Sequence, residues 1–240
     1  MRACPASVRP NVNGYMAALT EKVKLGTLVT GVIYRQPGIL VKTVSTLDVL
    51  SGGRAYLGIS AAWYERETLG LGVPYPETSI RFEQLEEGLQ IAPQMWAGKV
   101  ALFEGKHFHL AETLSLPQPI SQPHPPIMIG GGGEKKALRL VAQYADACNL
   151  FAQGGTEVLR KRLNTLHQHC EAVGRRYEDI EKTTINSADL ATTSPAEIIE
   201  QLHQQAELGS QHAIFNMPNG ETITPLETFG RDIIPAVQAF

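Results

Sequence analysis

Cysteine is scarce in this chain. Only Cys4, Cys148 and Cys170 occur, at wide spacing and with no Cys-x-x-Cys pair. An odd, scattered set argues against a disulfide framework or a thiolate zinc site, and free thiols in a reducing cytoplasm are expected. A charge excess of one sign is also missing. The net charge of −3 gives no electrostatic basis for binding nucleic acid or anionic lipid. No apolar run reaches the length of about 18 residues that a membrane span needs. The opening "MRACPASVRPNVNGYMAAL" carries two arginines, but Pro5 and Pro10 interrupt an apolar stretch already too short for a signal peptide. Repeats and low-complexity tracts are absent, and nothing marks a domain boundary, so one domain over residues 1–240 is expected. No Gly-x-Ser-x-Gly elbow or evident Ser/His/Asp set points to a hydrolase.

What is present is an ordinary globular composition, 43% hydrophobic and 19% charged, long enough to bury a sizeable core. From Val23 onward strands and helices alternate. "VKLGTLV" (23–29) reads as a buried strand and 37–50 as a helix, with Leu40, Val44 and Leu47 on one face, proline at its start and "SGGR" at its end. Strand 55–59 is followed by a helix marked by Phe82, Leu85, Leu89, Ala92 and Trp96, which Pro93 should kink. Residues 97–126 break the rhythm. "ALFEGKHFHLAE" reads as a hairpin turning at Glu104-Gly105, and "LPQPISQPHPP" as an extended proline-rich connection. Then follow strand 127–129, helix 134–144, strand 147–151, a helix ended by Gly174, strand 183–191, a capping-box helix from Ser194 to Leu208, strand 213–217 and a final helix 223–237. Strict alternation predicts an α/β fold with a parallel sheet, either a (β/α) barrel or an open doubly wound sheet. Six strands are counted, two fewer than a closed eight-stranded barrel.

The stretch "PPIMIGGGGEKKALRL" places four glycines between a strand and a helix. Glycines let an anion approach the backbone, and a helix start favours negative charge. The loop is neither a Walker A sequence nor a Gly-x-Gly-x-x-Gly fingerprint. Two readings stand at this level: a phosphate cradle, or a tight turn packing helix on strand.

A larger pattern carries more. "LGTLVT", "LDVLSGGRAYLGI", "AAWYE", "RFEQLEEGLQI", "PPIMIGGGGEKKALRLVAQYADACNLF" and "GSQHAIFNMP" occur in that order over residues 20–240. As a set they resemble the luciferase-like monooxygenase family, in particular its branch of oxidoreductases that use the deazaflavin coenzyme F-420. The resemblance implies a (β/α)8 TIM-type barrel with its cofactor at the C-terminal ends of the strands. That cofactor is coenzyme F-420 by preference, or FMN. It implies that Gly131, Gly132, Gly133 and Glu134 hold the cofactor phosphate, with Gly130 also among the cofactor-binding residues. It implies a bulge at Leu28, Val29 and Thr30, with a non-proline cis bond near Leu28–Val29 or Val29–Thr30. It also places Ser60, Trp63, Tyr64 and Glu65 on the catalytic face. Without the resemblance, Trp63 and Tyr64 read better as residues that pack their own loop. A small-molecule substrate, a cytoplasmic location and a homodimer are what the family suggests, with specificity in the loops at 61–78 and 100–125.

The family chain normally begins with a strand, a helix and a second strand ahead of "LGTLVT", and a catalytic histidine or acid often comes from there. Here residues 1–19 are an atypical leader, so a barrel truncated to about six strand-helix units is expected. The catalytic group is then expected in the missing segment, with Tyr64 and Glu65 as weak substitutes. A start lying further upstream is the preferred explanation. The expected function is hydride transfer or flavin-dependent monooxygenation of a small organic substrate. The alternative is a non-catalytic flavin-binding protein or an inactive fragment, and a phosphosugar-binding barrel is a third reading. The remaining candidates are weaker. His107 and His109 are expected to share a hairpin face, but no third ligand stands nearby and no metal is expected. His167 and His169 are expected to face solvent, His124 to lie near the site mouth, His212 to cap a strand and Asp146 to orient a loop.

Overall fold

The computed structural model describes residues 9–218 and 222–238. Cys4 and the first residues of the leader lie outside the described residues. Within the leader, α1 spans Arg9–Leu19. By its internal contacts the chain divides into two units. The first runs to Gly130 and includes Tyr144–Asp146; the second comprises Gly131–Gln143 and the chain from Ala147 onward.

In the first unit the predicted strand at 23–29 is split. β1 (Leu25–Gly26) and β2 (Thr30–Gly31) both pair in parallel with β3 (Ala55–Ser60), β1 at its start and β2 at its end. The two are halves of one strand position, interrupted at Thr27–Val29. The β-branched run hides the break, because side-chain pattern does not record what the neighbouring strand can accept. α2 (Pro37–Ser51) matches its signals: Pro37 opens it and Gly52, at φ 68, closes it. Its Leu40, Val41, Val44 and Leu47 are buried. A short α3 (Glu65–Gly70) precedes α4 (Thr78–Trp96). α4 continues through Pro93, which lies in the last turn, where the missing N–H removes only one late ladder bond.

The hairpin consists of β4 (Phe103–Glu104) and β5 (His109–Leu110), with Glu104 paired to His109. Its turn is therefore 105–108, closed by Gly105 N–H to Phe108 O at 2.9 Å, and not Glu104-Gly105. The cause is remote in sequence. Buried Glu87 of α4 accepts from the N–H groups of Lys106, His107 and Phe108 at 2.8, 3.1 and 2.9 Å. Residues 111–126 hold no helix or strand, with cis bonds at Leu116–Pro117 and Gln122–Pro123. Asp48 anchors them, accepting from Ile120 N, Ser121 N and Ser121 Oγ at 2.8, 2.8 and 2.6 Å. β6 (Ile127–Gly130) then pairs in parallel with β3, Leu57 opposite Ile127 and Ile59 opposite Ile129.

α5 covers Ala137–Tyr144, beginning three residues later than the pattern suggests, with 134–136 in a turn. The second unit's strands are β7 (Ala147–Phe151), β8 (Glu181–Ser187) and β9 (His212–Asn216), all parallel. β8 stops at Ser187 rather than 191, because the Asp189 carbonyl turns the chain by accepting from Thr192 and Thr193 N–H. α6 (Gly155–Val173) ends at Gly174 with φ 71. α7 (Pro195–Glu207) opens on the predicted capping box: Ser194 N donates to Glu197 Oε2 at 2.8 Å and Glu197 N to Ser194 Oγ at 3.3 Å. The expected final helix is a helical run made of α8 (Thr224–Thr228), a π turn at Phe229–Ile233 and α9 (Ile234–Val237). Leu138, Leu140, Leu150, Leu159 and Leu166 are almost fully buried, and each such side chain contributes about 1.5–3 kcal/mol. Phe229 and Ile233 pack with Ala188, Ile198 and Leu202 in a second cluster.

Counting β1 with β2 as one position, the described residues contain six strand-helix steps of the (β/α)8 barrel type. Among the described residues no helix is long and apolar enough to cross a membrane.

Candidate functional site

In a (β/α) fold the chemistry gathers at the C-terminal ends of the strands. In the first unit these ends belong to β2, β3 and β6. The Leu28–Val29 bond is cis. Around it the protein has no room for extra carbon. A Cβ on Gly58 of β3 would overlap the Thr27 carbonyl oxygen, and one on Gly130 would stand 2.7 Å from Val29 Cγ2. Thr27 Oγ1 donates to Gly58 O at 3.0 Å. Thr30 is buried, and its hydroxyl finds no hydrogen-bond partner among the described residues.

β3 ends in Ser60, whose Oγ accepts from Ala62 N at 3.3 Å. Ala62 adopts φ 64, and its methyl would lie 2.7 Å from a Cβ on Gly31. Small side chains at 31 and 62 are thus required by the turn itself. Arg81 of α4, buried, holds that turn by donating from Nε to Ala61 O at 2.9 Å, with its guanidinium 3.9 Å from the Tyr75 ring centroid. Trp63 is 73% exposed and stacks on Tyr64 at 5.2 Å, so these two rings do pack on each other. Tyr64 precedes α3 and its carbonyl accepts from Thr68 Oγ1 at 2.9 Å; Glu65, the first residue of α3, is exposed. Beside them Tyr34 donates its hydroxyl to Glu67 Oε2 at 2.9 Å and lies 3.0 Å from Thr68 Oγ1. Burial raises the Tyr34 pKa above the usual phenol range; the Glu67 carboxylate adds to the shift and the Thr68 contact opposes it.

In the second unit the glycine loop has a different character. Gly131 sits at φ 127, a left-handed conformation that favours glycine, and donates its N–H to Asn149 O at 3.1 Å. Gly133 O accepts from Leu138 N at 3.2 Å, fastening the loop to the start of α5. The N–H groups of Gly132, Gly133 and Glu134 find no protein acceptor among the described residues. A Cβ on Gly133 would meet only Ala137 Cβ, at 3.7 Å, whereas one on Gly132 would meet Arg162 of α6, with Nε at 2.7 Å. Lys161 Nζ pairs with Glu134 Oε1 at 3.0 Å, and His169 Nε2 lies 2.9 Å from Glu134 O. A free loop of N–H donors, open space over Gly133 and a nearby cation fit a phosphate.

Farther along, a cavity of about 390 Å³ is lined by Ala152, Thr156, Asn186, Gln201, Gln204 and Gln205, among others. Its deepest amides satisfy one another: Thr184 Oγ1 donates to Gln205 Oε1 and Gln205 Nε2 to Asn186 Oδ1, each at 2.8 Å.

Several sequence candidates lie elsewhere. His124 stacks on Trp96 at 5.3 Å and sits 3.9 Å from Asp146 Oδ2, at the start of β6 and not at its C-terminal end. The register of the proline-rich connection, set by Asp48, puts it there. Asp146 does orient its loop, accepting from Ile127 N and donating to Ile127 O, both at 2.8 Å. His107 falls in the hairpin turn and bonds Glu83 at 2.7 Å, while His109 is in β5 beside Glu104 at 3.4 Å, so they share no strand face. Among the described residues no group of three or more His, Cys, Asp or Glu gathers as for a metal. His167 is half exposed and meets the Tyr177 ring at 5.1 Å; His169 turns inward to the glycine loop. His212 opens β9 and faces Glu181 at 3.4 Å, an interaction that raises its pKa. Cys148 is buried, which pushes its thiol up to about 12, and burial raises Cys170 as well, so neither is a ready nucleophile.

Arg81, Tyr34 with Glu67, and Arg162 were not legible beforehand. Each is one polar residue in a segment read for its apolar face, and no local spacing points from it to its partner.

Comparison with known proteins adds breadth. A family model described as luciferase-like monooxygenase matches residues 10–222. An F-420-dependent glucose-6-phosphate dehydrogenase from Microbacterium testaceum (strain StLB037) is 24% identical over 277 aligned residues, covering 94% of this chain and 81% of that protein. The protein of the same name from Kineococcus radiotolerans is 31% identical over 171 residues, 70% of this chain and 50% of that one. Among solved structures, the coenzyme F-420-dependent tetrahydromethanopterin reductase from Methanopyrus kandleri superposes with a TM-score of 0.82 at 16% identity, over 95% of this chain and 87% of that one. That likeness is one of fold.

Proposed function

Because the chain belongs to the luciferase-like monooxygenase family, we propose that it is an oxidoreductase that acts on a small organic molecule with a phosphorylated deazaflavin or flavin, coenzyme F-420 by preference and FMN otherwise. The observation that carries this reading is the loop at 131–134, where three backbone N–H groups lack a protein acceptor and the glycines leave the approach open. The names of the curated relatives support the preference for F-420. When bound, such a coenzyme supplies the redox chemistry, exchanging a hydride with a substrate carbon or, as reduced FMN, activating oxygen. The chain's own residues then bind and orient. Gly131, Gly132, Gly133 and Glu134 take the phosphate. Leu28, Val29, Thr30, Ser60, Tyr64 and Gly130 are assigned to the ring end. Tyr34, hydrogen-bonded to Glu67, is better placed than exposed Glu65 to hold a proton. A single luciferase-like domain over 1–240, a homodimer and a cytoplasmic location complete the proposal.

Titrating the purified chain with coenzyme F-420 and with FMN, followed by their visible absorbance, tests it. Tighter binding of F-420 and its reduction by small alcohols or sugar derivatives is the expected result. Tight binding of FMN alone overturns the cofactor preference. Binding without turnover favours the non-catalytic alternative.

A further inference from the structure

The cation beside the glycine loop has no assigned work. Arg162 of α6 lies so close to Gly132 that a Cβ there would be 2.7 Å from its Nε and 2.8 Å from its Cζ. Its Nη1 donates to Phe151 O at 2.9 Å, which brings the guanidinium to the end of β7. Among the described residues no carboxylate pairs with it. The loop's own acid, Glu134, is engaged by Lys161 at 3.0 Å. His169 meets the Glu134 carbonyl from the same helix, so two side chains of α6 hold the loop at Glu134. One unneutralised guanidinium and three unpaired N–H groups therefore stand at a single turn of chain. These donors are open to an incoming anion, and a guanidinium matches the oxygens of a phosphate in both charge and shape.

We propose that Arg162 supplies the positive charge that pairs with the coenzyme phosphate and sets the preference for the phosphorylated form. The inference rests on the phosphorylated-coenzyme reading above and adds a residue from α6 to a site that sequence places wholly in the loop. Gly132 has its own role in it: the absence of a side chain there leaves room for the guanidinium.

The test compares ligands with and without the phosphate, FMN and riboflavin being the pair that differs in the phosphate alone. Dissociation constants are measured by fluorescence for FMN against riboflavin, and for coenzyme F-420 against its phosphate-free deazaflavin, on the wild type and on Arg162→Gln and Arg162→Lys. Arg162→Gln should weaken the phosphorylated ligand about 10- to 100-fold and leave the phosphate-free one unchanged. It should also flatten the salt dependence of binding. Arg162→Lys should fall between, since lysine keeps the charge and loses the fork. Equal weakening of both ligands means that Arg162 only braces the fold and overturns the proposal, as does an unchanged affinity for the phosphorylated form. A wild type that binds neither phosphorylated ligand overturns the coenzyme reading itself. Binding by the wild type with no selective loss in Arg162→Gln overturns only the role of the arginine.

Discussion

Two glycine-dependent regions of this molecule use the same residue for opposite ends. At the break between β1 and β2, Gly58 and Gly130 are glycines because protein already fills the space: the Thr27 carbonyl crowds one and the Val29 methyls crowd the other. At the loop 131–134 the space is not filled by backbone. Gly133 faces only a distant methyl, and Gly132 faces the movable end of an arginine. The first pair is a packing requirement, and the second is a requirement for access. A run of glycines in sequence does not separate the two, because both read as absence of a side chain. What separates them is the identity of the atom that a Cβ would meet.

The contrast can be broken by adding that one carbon. Gly58→Ala should do the most damage, because the obstacle is a backbone carbonyl that cannot rotate away. A loss above about 3 kcal/mol, or failure to fold, is expected in thermal or urea unfolding. Gly131→Ala should cost about 2 kcal/mol for a different reason: φ 127 is strained for any residue with a Cβ, although the space is open. Gly130→Ala should cost about 1 kcal/mol, since a side-chain methyl of Val29 can give way. If Gly58→Ala melts no lower than Gly130→Ala, the strand break is not packed as tightly as these distances require.

The same distinction governs what sequence could reveal. α2, α7 and β7 were legible because their signals are local: Pro37 and Gly52, the Ser194–Glu197 box, and a compact apolar run before Phe151. The strand break at Thr27–Val29 was legible only as part of the family resemblance. Its β-branched residues favour a continuous strand, and the contradiction comes from Gly58 and Gly130, far away in sequence. The hairpin turn moved for a similar reason, because its acceptor is Glu87 on another element. α5 starts late although Glu134, Lys135 and Lys136 favour helix, since Lys161 and His169 hold Glu134 in the loop. The glycine loop was located by sequence. The arginine against it was not, because the 19-residue pattern of α6 gives no hint that one polar position turns toward another turn of chain.

The smallest expected effect on stability is the sharpest test. Gly133 has no positive φ, its N–H has no protein acceptor among the described residues, and a Cβ would make only an ordinary contact with Ala137 at 3.7 Å. Gly133→Ala should therefore change unfolding stability by less than about 0.5 kcal/mol. If the loop is an access site, the same methyl stands where a phosphate approaches the backbone, and coenzyme affinity should fall about tenfold or more while the melting curve stays put. Gly26→Ala is the matched control: its Cβ would stand 2.9 Å from Tyr56 Cβ near the start of β3, where extra carbon meets protein and no coenzyme residue is assigned. An order of effects that is reversed between stability and affinity is what two different uses of glycine require. If Gly133→Ala binds coenzyme as well as the wild type does, the loop is only a tight turn leading into α5, and the phosphate belongs elsewhere.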